Sequence, residues 1–513
     1  MLRFLLKNEV IRVIYEIYKK ISLGRRKLIF VAFLIMLLSG FFELLNIGSL
    51  LPVLTSFSSP EELTKNNFYS YFLNLFNLRS DNSILYFTSF VFISLVLISS
   101  ALRIITLYVN AKLAALIGSD ISCKVYKNNL FQPYDFQLTR NTSNVITNLI
   151  NGTQQVVGTL NNFLRVIYGL LNFAFVLAAL IIIDFKIAIS SLITFSLIYF
   201  VIIISVRRVL IKKSDVVYKN NVKIVKLVQE SFGSIKDIIL DNSQRLFLEQ
   251  YKQNDFLKRK KEAEIDLLGV LPYTLIEALA LISVIVIGLS ISDNSSRLEI
   301  LGTIGLGLQR LLRSVQQIYA GYIFVQGRIT SLSKLIIYLN LNVNKDLFFE
   351  NKDVLDFKDS IVLENIHFTY NKKQIINNFN LRINKGEMIG IKGKTGSGKS
   401  TLINIIMGLL VPTKGKLLID GVDLNIKENE LIKSCYFNSI SHVSQDIYLL
   451  NITIAENIAF GIPINEINFD RLERVAKEAS IFNFINSTEK GFFTLVGERG
   501  INLSGGQKQR IGI

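Results

Sequence analysis

The stretch GKTGSGKS, Gly393 to Ser400, fits the pattern of a phosphate-binding loop. Before it stands EMIGIKG, which reads as a strand, and after it TLINIIMGLL, which reads as a helix. The loop therefore has the strand–loop–helix setting its chemistry requires, which a chance glycine-rich turn would lack. Gly393, Gly396 and Gly398 let successive backbone N–H groups turn toward an anion, and the helix N-terminus adds partial positive charge. Lys399 is placed to reach the β- and γ-phosphates of a nucleotide, and the Ser400 hydroxyl to ligate Mg²⁺. Thr395, Ser397 and Thr401 complete the set expected to line the nucleotide.

Outward from this loop the signals become narrower. Tyr370, in IHFTY, lies 23 residues before Gly393, where an aromatic ring can stack on a base. PTKGKLLIDG (412–421) mimics a metal-binding strand, but it runs into Gly421 with no acid after it and reads as a structural turn. Gln445 sits in VSQDIYLL, TLVGERG spans Thr494 to Gly500, and LSGGQ spans Leu503 to Gln507.

The sequence ahead of this region has a different character. Half of the 513 residues are hydrophobic and only 19% are charged, an unusual balance for a soluble chain of this length. Six apolar runs begin at about Leu28, Ile84, Phe163, Ile187, Leu267 and Ile300, each near the ~20 residues needed to cross a bilayer. A large soluble core would need several helices with almost no polar face.

The net charge of +17 is placed where such spans would leave it on one side. Basic residues crowd the first 27 positions and the stretch 207–261, whereas the loop after the first run has only Lys65 and Arg79. Six spans with both ends cytoplasmic fit that pattern, so nucleic acid is not needed to explain the charge. The opening MLRFLLKNEVIRVIYEIYKK suits an amphipathic helix on the inner membrane surface, in contact with lipid. Two long connections, 118–160 and 207–265, read as helical extensions beyond the bilayer, interrupted at 131–144 and 229–242. Cys123 and Cys435 stand far apart, and His367 and His442 are the only histidines, which excludes a disulfide framework and a histidine-rich metal centre. The expected organisation is a surface helix over 1–27, a six-span domain over 28–330, a linker over 331–357 and a nucleotide-binding domain over 358–513.

With these motifs in place, the sequence resembles the ATP-binding cassette (ABC) transporters over nearly its whole length. LSGGQ is that family's signature, and GERG is similar to a loop that marks its exporters. The resemblance implies an all-α six-helix transmembrane exporter domain followed by an α/β P-loop nucleotide-binding domain, with ATP and Mg²⁺ as cofactors. It implies that Tyr370 stacks on adenine and that Gln445 approaches the Mg²⁺. Ser504, Gly505, Gly506 and Gln507 would hold the γ-phosphate of ATP bound on a second copy or close homologue. The two interruptions resemble the helices that couple membrane and nucleotide domains. In the family a strand ending in Asp-Glu and a switch histidine follow the signature, and neither is found by Ile513. The chain by itself is therefore expected to be inactive in hydrolysis, which leaves a non-catalytic nucleotide-binding membrane protein as the other reading.

Charged residues within apolar runs are costly and usually functional. Glu43, Arg103, Arg165, Glu277, Arg310 and Arg313 are of this kind. An inward-facing basic set, Arg103 and Arg310 above all, would suit an amphipathic, anionic cargo. FFELLNIGSLLPVL, ALRIITLYVNAKLAAL and LQRLLRSVQQI loosely resemble the flippases of lipid-linked oligosaccharides, with a multidrug or lipid exporter as the alternative. Either intramembrane ion pairs or snorkelling side chains would account for the same charges without any cargo.

Overall fold

The computed structural model describes residues 9–58, 60, 63, 75, 80–183, 185–290, 297–343, 353–370 and 373–513. The first eight residues of the expected surface helix, and Lys65 and Arg79, lie outside the described residues. The chain divides into two units, Met1–Lys345 and Asp346–Ile513.

Among its described residues the first unit consists of helices joined by short turns. α1 (Glu9–Lys20) precedes α2 (Leu23–Ser58), α3 (Asp81–Leu130), the short α4 (Tyr134–Thr139) and α5 (Thr142–Ile183). After them come α6 (Phe185–Gly233), α7 (Ile235–Leu240), α8 (Gln244–Ser290), α9 (Arg297–Gln326) and α10 (Ile329–Leu339). Among the described residues, α2, α3 and α5 are long and apolar enough to cross a membrane. The apolar runs at Ile187, Leu267 and Ile300 fall within the continuous helices α6, α8 and α9.

Apolar length sets where these helices form, and polar punctuation sets where they stop. α3 starts at a capping box in which the Ser80 hydroxyl accepts from Ser83 N and the Ser83 side chain closes back on Ser80. It runs 50 residues, or ~75 Å at ~1.5 Å per residue, well beyond ~30 Å of hydrocarbon. α4 and α7 occupy the two expected interruptions. Within α5, residues Asn148–Gly152 form a π-helical turn. Where the extensions of α6 and α8 meet, Lys213 and Lys261 converge on Glu264 and hold its carboxyl down to about 2.

Residues 331–339, assigned to the linker in the sequence, belong instead to α10. Its Ile329, Leu332, Leu335 and Leu339 are buried in one core with Val13 and Ile17 of α1, Ile117 and Val125 of α3, and Val156 of α5. Spacing of three to four residues gives these side chains one helical face. Asn128 Nδ2 of α3 donates to Leu339 O at 2.8 Å, a carbonyl that the end of α10 leaves open, and Gln132 Nε2, just past α3, donates to Asn342 O at 2.8 Å, just past α10.

The second unit is built on a four-stranded sheet in the order β2-β1-β3-β4: β1 is Ser360–Tyr370, β2 Lys373–Asn384, β3 Lys414–Ile419 and β4 Val422–Asp423. All three pairings are antiparallel. α11 (Lys399–Ile406) and α12 (Glu430–Asn438) pack on this sheet through Leu402, Ile405 and Tyr436. α13 (Ile454–Ile458), α14 (Phe469–Glu478), α15 (Phe482–Ser487) and α16 (Gly505–Gly512) follow. Leu503 and Ile511 join a second core with Ile454, Ile485 and Val496.

The strand expected at EMIGIKG is not formed. Residues 387–394 carry no strand pairing, and Met388 is 97% exposed. A strand exists only through its ladder partners, and this segment has none among the described residues.

Candidate phosphate-binding site

The loop expected to bind phosphate is shaped by its glycines. Gly396 has φ of 81° and Gly398 φ of 93°, both in the left-handed region that a side chain strains. Gly398 has a second constraint, since an added Cβ would stand 2.9 Å from Ile375 Cγ2 of β2. Ser397 N donates to Lys394 O at 3.1 Å, which closes the turn. Gly398 is the N-cap of α11 and has no side chain to cap it, so the first amides of α11 are left for an outside acceptor.

Lys399 folds over the loop it follows. Its ammonium donates to Gly393 O at 2.7 Å and to Lys394 O at 3.0 Å. That position holds a positive charge directly above the glycine turn. Thr395, Ser397 and Ser400 are exposed, and Thr401 is half-buried beside them. The set is a cradle of backbone N–H groups, hydroxyls and one ammonium, open to solvent, and it suits a multiply charged phosphate chain.

Tyr370 ends β1 opposite Lys373 of β2, with its ring tilted 6.4 Å from Phe368. Ile375 of β2 touches Gly398, so this hairpin end is near the loop in the same unit. Asn371 and Lys372, at the hairpin tip, lie outside the described residues. Gln445 is exposed in an irregular segment between α12 and α13. No group of three or more His, Cys, Asp or Glu side chains among the described residues forms a metal cage. A Mg²⁺ ion would take few protein ligands beside phosphate oxygens and water, and the Ser400 hydroxyl and Gln445 amide oxygen are the hard donors that suit it.

The LSGGQ segment has a contact that its motif reading missed. Ser504 is the N-cap of α16, and its hydroxyl accepts from Gln507 N at 3.3 Å. In return Gln507 Oε1 accepts from Ser504 N at 2.7 Å. The S-x-x-Q spacing is itself a capping-box signal. Gly505 and Gly506 have nothing within 4 Å of where a Cβ would be, so their backbone is open to a ligand. Arg510 Nη1 donates to Ser480 O at 3.0 Å and ties the helix to the turn after α14. The loop ahead of α16 turns sharply, with φ of 75° at Gly497, 51° at Arg499 and 69° at Gly500.

Asp420 also has a role the sequence did not disclose. With Gly421 it makes the left-handed turn between β3 and β4 (φ 48° and 83°), in agreement with a structural turn there. Its carboxylate accepts from Lys358 N and Asp359 N at 2.8 Å and from Ser360 N at 3.0 Å.

In the first unit, Arg310 Nη1 of α9 stands 2.6 Å from Glu43 Oε1 of α2, as an ion pair without an aligned hydrogen bond. Arg103, Arg165 and Arg313 are exposed, and Tyr273 Oη lies 3.2 Å from Glu277 Oε1. Arg310 is therefore already neutralised by a side chain 267 positions away, one of the two acids that the sequence places within apolar runs.

Comparison with known proteins agrees with both units. The family description "ABC transporter transmembrane region" matches residues 23–296 and "ABC transporter" matches residues 376–513. The chain is 42% identical over 160 residues to the leukotoxin translocation ATP-binding protein LktB of a Pasteurella haemolytica-like species, covering 31% of this chain and 22% of that one. It is 39% identical over 158 residues to the putative multidrug export ATP-binding/permease protein YgaD of Bacillus subtilis, covering 30% and 26%. With the alpha-hemolysin translocation ATP-binding protein HlyB of Escherichia coli O157:H7 it shares 37% over 186 residues, covering 36% and 25%. The matches thus span about a quarter of these relatives' length. A solved bacterial Atm1-family ABC exporter with ATP bound has the same fold, with a TM-score of 0.71 and 19% identity over 95% of this chain and 82% of that one.

Proposed function

The chain belongs to the ABC transporter family, and from that premise we propose that it is half of an ATP-driven exporter or flippase for an amphipathic cargo. The observation that carries this reading is the glycine cradle under Lys399, in the same chain as a multi-helix membrane unit. Two such chains, or one with a close homologue, would form the working transporter. Supporting this, the phosphate loop and LSGGQ rest on separate cores, one containing Leu402 and Ile405 and the other Leu503 and Ile511.

In this reading ATP stacks its base on Tyr370 and lays its phosphates along Gly393, Thr395, Gly396, Ser397 and Gly398. Lys399 leaves the Gly393 carbonyl for the β- and γ-phosphates, and Ser400 and Thr401 face the same chain of phosphates. Ser400 and Gln445 would hold Mg²⁺, which neutralises phosphate charge when bound. Gly505 and Gly506 of one subunit present open amides to the nucleotide of the other, with Ser504 and Gln507 keeping that helix start in shape. The N-terminus and the nucleotide-binding unit lie in the cytoplasm.

The finest form of the cargo proposal is a lipid-linked oligosaccharide, whose diphosphate Arg103 and Arg310 would contact by their guanidinium forks. The Arg310–Glu43 pair favours a second reading, a hydrophobic drug or lipid, because an anion would have to displace Glu43. Reconstitution of the transporter in vesicles separates them. Under the first reading, Arg103→Ala or Arg310→Ala lowers cargo-stimulated ATPase more than basal ATPase. Loss of both activities together with thermal stability in Arg310→Ala rejects the diphosphate and leaves the drug or lipid. Absence of any ATP-dependent movement of amphiphiles rejects export.

A further inference from the structure

α1 carries more apolar surface than its packing uses. Val10, Val13 and Ile17 are buried in the core shared with α3, α5 and α10, while Ile11, Tyr15 and Tyr18 remain 38%, 42% and 45% exposed. Two open apolar grooves border this second face. One, of about 440 Å³, runs between α1 and Ile29, Ile117 and Leu160. The other, of about 310 Å³, runs between α1 and Tyr199, Tyr319 and Val325. Ile11, Ile14 and Phe163 line both, so the grooves part from one shared ridge. The volumes lie near the ~300 Å³ lower end of the range for small-molecule sites.

The passage from the end of α1 into the start of α2 is strongly basic. Lys19, Lys20, Arg25, Arg26 and Lys27 follow one another closely, and among the described ion pairs only Arg25 has an acidic partner, Asp120 at 2.9 Å. Arg26 lies 4.8 Å over the ring of Tyr18, which lines the larger groove. Its Nη2 donates to the carbonyls of Tyr18 and Lys19 at 3.3 and 3.1 Å, while its Nε is buried without a partner. Paired apolar grooves meeting at one ridge, with uncompensated cations beside them, match an amphiphile with two chains and an anionic head.

We propose that α1 seats one anionic diacyl phospholipid of the surrounding membrane, one chain in each groove, with its phosphate at the Lys19–Lys27 end. Two chains and a cationic contact together give the firm, head-selective attachment that a single chain lacks. The occupant is a bound lipid at the flank of the membrane unit, independent of the nucleotide site.

Native mass spectrometry of the 513-residue chain in detergent tests this with three probes: dioleoyl phosphatidylglycerol, dioleoyl phosphatidylcholine and single-chain lysophosphatidylglycerol. The expected result is one retained phosphatidylglycerol per chain, at least fivefold over either other probe. Ile11→Trp, at an exposed position on the shared ridge, should cut retention at least fivefold while the Mg-ATP melting shift stays as in wild type. Lys19→Gln with Lys27→Gln, both exposed, should bring the two diacyl lipids to near parity and keep the preference over the single-chain lipid. Equal retention of both diacyl lipids by the wild type, or undiminished phosphatidylglycerol on Ile11→Trp, overturns the proposal. Release of lipid whenever two chains associate also overturns it, since the grooves would then be covered by a second copy.

Discussion

α11 and α16 both begin at glycine-rich turns, yet they leave their first amides in opposite conditions. Gly398, the N-cap of α11, has no side chain and a left-handed φ of 93°. Ser504, the N-cap of α16, is extended, and with Gln507 it closes a reciprocal capping box. The first helix start has no side-chain acceptor for its amides. The second is satisfied by its own sequence and keeps open only the stretch at Gly505 and Gly506. Under the proposed function, the difference separates a loop that would hold phosphate from a helix start that would meet a phosphate bound on a second subunit.

The largest effect expected from this contrast is at Lys399. At ATP a hundredfold above its dissociation constant, binding to the folded state adds about 2.7 kcal/mol, or a melting shift of about 5–10 °C for a unit of this size. Lys399→Ala should remove that shift from the purified protein. A shift equal to wild type would mean the glycine cradle is not the nucleotide site.

Glycine substitutions then set the two helix starts directly against each other. At Gly398 an alanine meets both an unfavourable φ and Ile375 at 2.9 Å, a cost of about 1–3 kcal/mol, and Gly398→Ala should also lose the Mg-ATP shift. At Gly505 nothing is within 4 Å, and alanine is the better helix former by up to about 1 kcal/mol. Gly505→Ala should melt at or slightly above wild type and keep P-loop binding. Equal losses at both positions would erase the distinction.

Ser504 divides capping from phosphate contact. Ser504→Ala should cost about 0.5–2 kcal/mol of stability by opening the box. Ser504→Asp keeps a capping oxygen but adds charge, so it should retain stability and lose ATP-dependent association of two chains, measured by light scattering. Association undiminished in Ser504→Asp would mean that α16 does not face a partner's nucleotide.

What was legible in the sequence follows the range of the interaction. The phosphate loop and LSGGQ are short because the φ values and amides they supply are local, so spacing alone exposes them. Apolar runs announced helices in the same way, but not that α3 would continue for 50 residues or that α10 would dock on α3 and α5. EMIGIKG had strand-like composition, yet strand formation needs a partner that no local pattern supplies. The Arg310–Glu43 pair joins α9 to α2, and no spacing rule selects Glu43 over Glu277. Ser504 was read for its phosphate role, although S-x-x-Q also spelled a cap.

Asp420 offers the smallest test, and the one internal to the fold. Its carboxylate occupies the amides of Lys358, Asp359 and Ser360 much as a phosphate would occupy those of α11. Partial burial pushes its pKa up, but the three amides, helped by the charge of Lys385, outweigh that and hold it below the usual carboxylate range. A group whose folded pKa is depressed contributes stability above its unfolded pKa of ~3.9 and loses it as pH falls through the folded value. Melting the wild type and Asp420→Asn between about pH 6 and pH 2 should therefore give a steeper acid loss in the wild type. The variant should be less stable at pH 6, with the two converging toward pH 2. Glu456, held low by the hydroxyl and amide of Thr453, titrates in both proteins and cancels in the difference. Parallel curves would mean that three aligned amides do not favour a bound anion here, and the same argument for the open amides of α11 would lose its internal precedent.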